Sequence, residues 1–169
     1  MNIHSLMNQF AKFDFALVGK GPKNPECSVP DLQKEIENFL SQYSFLQKDQ
    51  DYVDFLKYYA GAMLDLPDGS LIVDIFGFNE NISMHLTRDE SPVIDRHGYY
   101  TFCNSIVEKE SNKSITDNFL SMGYSFDATD TKKWGVYRIV GNGEHEWYCS
   151  DFISWLEILV ESRGYLPTE

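Results

Sequence analysis

Asp127 and Asp130, in the run Phe126-Asp127-Ala128-Thr129-Asp130-Thr131, are the nearest thing in this chain to paired carboxylates. Two carboxylates serve as general acid and base when their environments split their pKa values. They also suit a hard cation. The same Asp and Thr residues make Asx and ST turns, and this run lies between two strand-like segments, so a turn is expected. Glu144-His145-Glu146 offers three potential ligands. On a strand, however, Glu144 and Glu146 share one face and His145 opposes them, so the three do not meet at one metal without a bend. A solvated hairpin is the expectation there. His4, His85, His97 and His145 form no HxH, HExxH or HxxxH pair. Cys27, Cys103 and Cys149 form no CxxC pair and read as reduced, packed thiols. Gly19 to Pro25 holds glycines and prolines, but GxxxxGK(S/T) is absent, as are GxSxG and a Gly-rich dinucleotide loop. The residues therefore predict no catalytic group, no metal and no cofactor. Asp127 and Asp130 beside Lys132-Lys133-Trp134 also read as a recognition loop, since Trp next to charge anchors interfaces. Trp134 is equally placed to be the first core residue of a strand.

These residues hang on elements that the hydrophobic pattern locates. Strand candidates are Tyr124–Phe126, Trp134–Val140 and Glu146–Cys149. Val136, Arg138 and Val140 are expected on one face, with Tyr137 and Ile139 on the other. Gly141-Asn142-Gly143 suits a tight reversal. Ser150 is the expected N-cap of a final helix whose stripe is Phe152, Trp155, Leu156, Leu159 and Val160. Earlier stripes fall at Ile3, Leu6, Met7 and Phe10, at Leu32, Ile36, Phe39, Leu40 and Tyr43, and at Tyr52, Phe55, Leu56 and Tyr59. Asp49 or Asp51 caps the third, and Gly61 ends it. Pro67-Asp68-Gly69-Ser70 is a turn that leads into a strand over residues 71–78, where Asp74 is expected on a solvated face. Residues 79–98 hold at most a short strand near Ser83 to Leu86. Tyr99 to Val107 reads as a strand, Glu108 to Ser114 as a charged loop, and Ile115 to Met122 as a short helix or irregular crossover.

The chain has 169 residues, enough for one domain with a sizeable core. Hydrophobic residues make up 43% and charged residues 24%, which excludes a disordered chain. No apolar run approaches the roughly 20 residues that span a bilayer. No signal peptide is visible, so a cytoplasmic protein without membrane contact is expected. The net charge is −12, which argues against direct nucleic-acid binding, because phosphate contacts draw on Lys and Arg. Acidity either keeps the protein soluble or attracts a basic partner. The charge is −1 over residues 1–50, −6 over 51–100 and −5 over 101–169, so the acid travels with the expected sheet and its loops. Asp65, Asp68, Asp127, Asp130, Glu144 and Glu146, with Trp134, are the candidate partner-binding residues.

The order of elements, with Tyr52-Val53-Asp54-Phe55-Leu56-Lys57-Tyr58-Tyr59-Ala60-Gly61, the strand pair from Val136-Tyr137, and Ser150-Asp151-Phe152 running to Leu156, resembles the SUKH superfamily. That superfamily includes the yeast glucan-synthesis regulator and many bacterial immunity proteins. The resemblance covers about residues 28–163, preceded by an N-terminal helix and loop over 1–27. It lacks the family's Leu-Pro before the second helix, where Phe45-Leu46 stands, and its Gly-Asp between strands, where Phe126-Asp127 stands. It implies a single α+β domain, mainly an antiparallel sheet flanked by helices, with no catalysis. It further implies a basic protein partner such as a nuclease toxin; a regulatory or scaffold role is the alternative, and a hydrolase using Asp127 and Asp130 the third.

Overall fold

Alternation along Leu71–Ile75 sets the two faces of the sheet. Leu71, Val73 and Ile75 are fully buried, whereas Ile72 and Asp74 between them are half-buried. A computed structural model describes residues 2–79, 81–87, 93–108, 119–139 and 143–168. The chain runs α1 (Ile3–Ala11), β1 (Ala16–Val18), α2 (Leu32–Gln42), a 3-10 turn (Ser44–Lys48) and α3 (Gln50–Tyr58). It continues with β2 (Ala62–Asp65), β3 (Leu71–Ile75), β4 (Tyr99–Glu108), β5 (Phe119–Asp127), β6 (Val136–Ile139), β7 (His145–Cys149) and α4 (Phe152–Glu161). The seven strands lie side by side in chain order, each antiparallel to the next. This is the α+β arrangement, an antiparallel sheet with N-terminal and C-terminal helices, that the resemblance implies.

The helices pack on one face. α3 and α4 bring Tyr52, Phe55, Phe152 and Trp155 onto Tyr100, Phe102, Tyr124 and Phe126 of β4 and β5. Ring centroids there lie 4.8 Å apart for Phe102–Trp155 and 5.1 Å for Tyr52–Phe126. All eight of these side chains are buried to 1% exposure or less, so aromatic area removed from water is the main stabiliser of the helix–sheet contact. The opposite face is covered only in part. The segment after β3 folds back over it, bridging Gly77 to His85 and Ile94 to Tyr100. His85 ties this segment to α2: its Nδ1 accepts from Thr87 N at 3.2 Å, and its Nε2 lies 3.2 Å from Glu35 Oε1.

Several local expectations change. β1 and β2 have no counterpart among the expected strands. Phe119–Met122 belongs to β5 rather than to a helix, because it pairs with β4 from Glu108 to Ser105. β3 stops at Ile75, and the strand expected near Ser83 is reduced to a single bridge. The cap of α4 is Asp151, whose side chain accepts from Ser154 N at 2.9 Å, not Ser150. The loop glycines Gly19 and Gly21 serve close packing: a Cβ on either would lie 2.3 Å from a backbone carbonyl oxygen at the end of α3. Gly77 is tighter still, with its Cβ position 2.1 Å from the Ala60 carbonyl oxygen. Pro92, Val140, Gly141, Asn142 and residues 109–118, which carry the expected charged loop and the start of the expected crossover, lie outside the described residues.

Candidate functional site

In an up-and-down sheet, the β2–β3 and β5–β6 turns leave from opposite ends. Asp65 and Asp68 sit on the first, Asp127 and Asp130 on the second. Glu144 and Glu146, at the start of β7, are separated from Asp65 and Asp68 by three intervening strands. The six acids therefore do not converge on one groove. Most are also engaged locally. Asp68 accepts from Ser70 N at 2.9 Å and from Ser70 Oγ at 2.6 Å. Glu146 pairs with the buried Arg138, and Asp130 with Lys48.

Asp127 is a turn anchor. It is 2% exposed, and its two oxygens accept from Thr129 N, Thr129 Oγ1, Thr131 N and Lys132 N at 2.6–3.1 Å. Burial pushes its carboxyl up, but the Thr129 hydroxyl, the backbone N–H groups and the Lys132 charge outweigh that and hold it below its ordinary value. A carboxylate saturated this way has no lone pair to offer a substrate, and its neighbour Asp130 faces a lysine. The pair is thus arranged as a turn. Trp134 stacks on Phe126 at 4.9 Å and donates from Nε1 to Asp49 Oδ2 at 3.3 Å, so it is half core, half surface. Among the described residues, no group of three or more His, Cys, Asp or Glu side chains is spaced to hold a metal ion.

Asp49 has a larger part than a helix cap. Only 4% exposed, it accepts from Tyr52 N at 3.2 Å, Phe152 N at 2.9 Å and Trp134 Nε1 at 3.3 Å. One carboxylate therefore joins the N-termini of α3 and α4. Around this junction stand Asp51, Asp54 and Asp151. Burial, and then the negative charges of Asp54 and Asp151, push the Asp51 carboxyl above its ordinary value. Among the described residues, none of these three carboxylates has a Lys, Arg or His ion-pair partner. The result is an acidic patch at the junction of α3 and α4.

No protein-family model matches the chain, and no curated protein or solved structure matches it either.

The second feature is a cavity of about 270 Å³ between the open face of the sheet and the segment after β3. Phe76, Met84, Leu86 and Ile139 supply apolar walls; Asp95, Thr101 and Asn104 supply polar groups. Asp95 Oδ1 is spent on its own turn, accepting from His97 N at 2.8 Å and Tyr99 N at 3.1 Å. Tyr99, also in the wall, stacks on His145 with ring centroids 3.7 Å apart and planes within 3°. Sequence patterns point to neither the acidic patch nor this cavity. Asp49, Asp51, Asp54 and Asp151 look like ordinary helix-start acids, and the cavity walls Phe76, Asp95, Asn104 and Ile139 come from distant stretches without a motif. The closest signal is the acid excess of residues 51–100.

Proposed function

We propose that the protein is a non-enzymatic acidic binding protein of the immunity type, one that occupies the basic surface of a cognate toxin such as a nuclease. The observation that carries this reading is the patch of Asp51, Asp54 and Asp151. Burial, and then the charges of Asp54 and Asp151, push the Asp51 carboxyl up, a cost that an approaching basic surface relieves. A nuclease must present Lys and Arg to phosphate, and an acidic inhibitor meets that surface with steered, salt-sensitive association. The net charge of −12 supports the same direction. The engagement of Asp127, Asp130 and Glu146 in internal contacts favours a partner surface centred on the α3–α4 end over one centred on those acids. Asp130 and Trp134 remain next to it through Lys48 and Asp49.

The test is co-expression with nuclease toxins, beginning with any toxin encoded next to this chain. Protection by the wild-type protein, weakened by Asp51→Lys with Asp54→Lys while the fold is retained, is the expected result. Equal protection by the doubly reversed variant, or no toxin neutralised, contradicts it.

A further inference from the structure

The sheet ends in two edge strands, β1 and β7, each with one side left open to pairing. β7 is charged: Glu146 lies on it and pairs with Arg138, and Lys133 Nζ stands 4.3 Å from the Trp147 ring centroid. β1 is Ala16-Leu17-Val18, with no charge, no proline and no bulge to discourage a neighbour. Gly19 N, just beyond it, donates to Gly61 O at 2.9 Å. Bonding alternates along an antiparallel ladder, so Leu17 also turns its N–H and C=O toward β2, while Ala16 and Val18 turn theirs outward. Ala16 N is taken by Phe13 O at 3.1 Å. Among the described residues, the Val18 N–H and the Ala16 and Val18 carbonyl oxygens have no backbone partner.

The side chains along this edge are equally unspent. Leu17 is 53% exposed beside Met63 on the open face of the sheet, whereas Ala16 and Val18 pack against the core. Phe15 is 58% exposed and held at φ 66°, a conformation that an aromatic L-residue rarely adopts. The turn into β1 thus keeps an apolar ring in water, and covering it is favourable.

We propose that β1 pairs antiparallel with β1 of a second copy of this chain, across a two-fold axis at Leu17. In that register the sequence around the strand is its own complement. Leu17 faces Leu17, Ala16 faces Val18, and the outward groups supply a Val18 N–H to Ala16 O bond in each direction. Phe15 falls opposite Gly19, which presents no side chain to the ring, and Asp14 falls opposite Lys20. Among the described residues, Asp14 has no ion-pair partner, and Lys20 stays half-exposed in its pair with Glu26. A foreign strand could use the same backbone edge; the charge match at both ends of the register favours the chain's own copy. Residues 1–50 carry only −1 of the net charge of −12, so over this stretch two copies repel least. The pairing goes beyond the basic-partner reading and does not depend on it.

Sedimentation equilibrium of the full chain over a concentration series tests the pairing. The interface is small, so a reversible dimer with a Kd on the order of 0.1 mM is expected. Leu17→Lys sets like charges face to face and should weaken it at least about tenfold. Asp14→Lys alone and Lys20→Asp alone should each weaken the dimer, and the double exchange Asp14→Lys with Lys20→Asp should restore it, because each copy then meets the reversed pair. All three positions are exposed, and thermal melts identify any variant that fails to fold. Leu17→Cys gives a second readout: directly opposed residues of this kind lie about 4.5 Å apart at Cα, within disulfide reach, so oxidised glutathione should link two copies of that variant. The wild type, with Cys27 and Cys149 partly exposed, is the control for other links. A chain that stays monomeric at about 1 mM overturns the proposal and leaves the edge to a strand of another protein. A dimer indifferent to Leu17→Lys, a double exchange that restores nothing, or a Leu17→Cys variant that links no better than the wild type overturns it as well.

Discussion

Replacing Asp49 by Ala should be the most destabilising single change of a charged residue in this chain. The substitution strands three donors: Tyr52 N and Phe152 N, both on helix first turns, and Trp134 Nε1. Each orphaned buried donor costs about 1–3 kcal/mol, and two helix N-termini lose a favourable negative charge worth about 0.3–1 kcal/mol each. Against this, a carboxylate that is 4% exposed pays for its own burial, which is why its pKa is raised; Ala removes that penalty. The balance is a loss of about 3 kcal/mol, a large share of the roughly 5–15 kcal/mol that holds a domain together. Urea unfolding read by tryptophan fluorescence measures it, with the midpoint falling and the slope unchanged. Asp151→Ala provides the scale, because it removes one cap bond and should cost about 1 kcal/mol. If Asp49→Ala costs no more than Asp151→Ala, the junction is not the structural tie described above.

Other consequences follow from the same geometry. Asp74 is half-buried and, among the described residues, accepts long contacts from Met84 N, at 3.3 Å to each oxygen, and burial pushes its pKa up to about 6. A raised folded-state pKa means that the proton is held more tightly when folded. The stability that Asp74 lends is therefore full below about pH 4 and lost as pH rises through 6. Asp74→Asn should raise stability at pH 7 by about 1 kcal/mol, after discounting for solvent access, and change nothing at pH 4; urea midpoints at the two values decide it, and a loss at pH 7 refutes it. Asp127 runs the other way: its lowered carboxyl contributes above about pH 4 and is lost on acidification. Asp127→Ala should cost about 2 kcal/mol at pH 7 and far less at pH 2, as read by thermal melts. Gly77→Ala should cost about 3 kcal/mol, since the neighbour 2.1 Å away is backbone and does not yield; a neutral outcome in urea unfolding contradicts that packing.

Much of the fold was legible because its helices carry strong stripes. Ile3, Leu6, Met7 and Phe10, and Phe152, Trp155, Leu156, Leu159 and Val160, are buried as their spacing requires. β1 and β2 were not legible: three and four residues long, they are too short for alternation to register, and pairing with each other and with β3 defines them. Phe119-Leu120-Ser121-Met122 is apolar enough for helix or strand, and only the ladder with β4 decides. Asp127 was legible as a turn residue, for the reason expected: a short carboxylate capturing nearby N–H groups. The acidic junction was hidden, because Asp49–Asp54 and Asp151 meet only when α3 and α4 start side by side. Asp95 and His145 meet through the register of β6 with β7 and the turn before β4, which no local pattern encodes.

The measurement that bears most directly on function is the association rate with a neutralised nuclease toxin as a function of salt. The acidic-patch account predicts a rate that falls steeply as salt rises, and a rate for Asp51→Lys with Asp54→Lys at least tenfold lower at low salt. A rate indifferent to salt and to that charge reversal would contradict it.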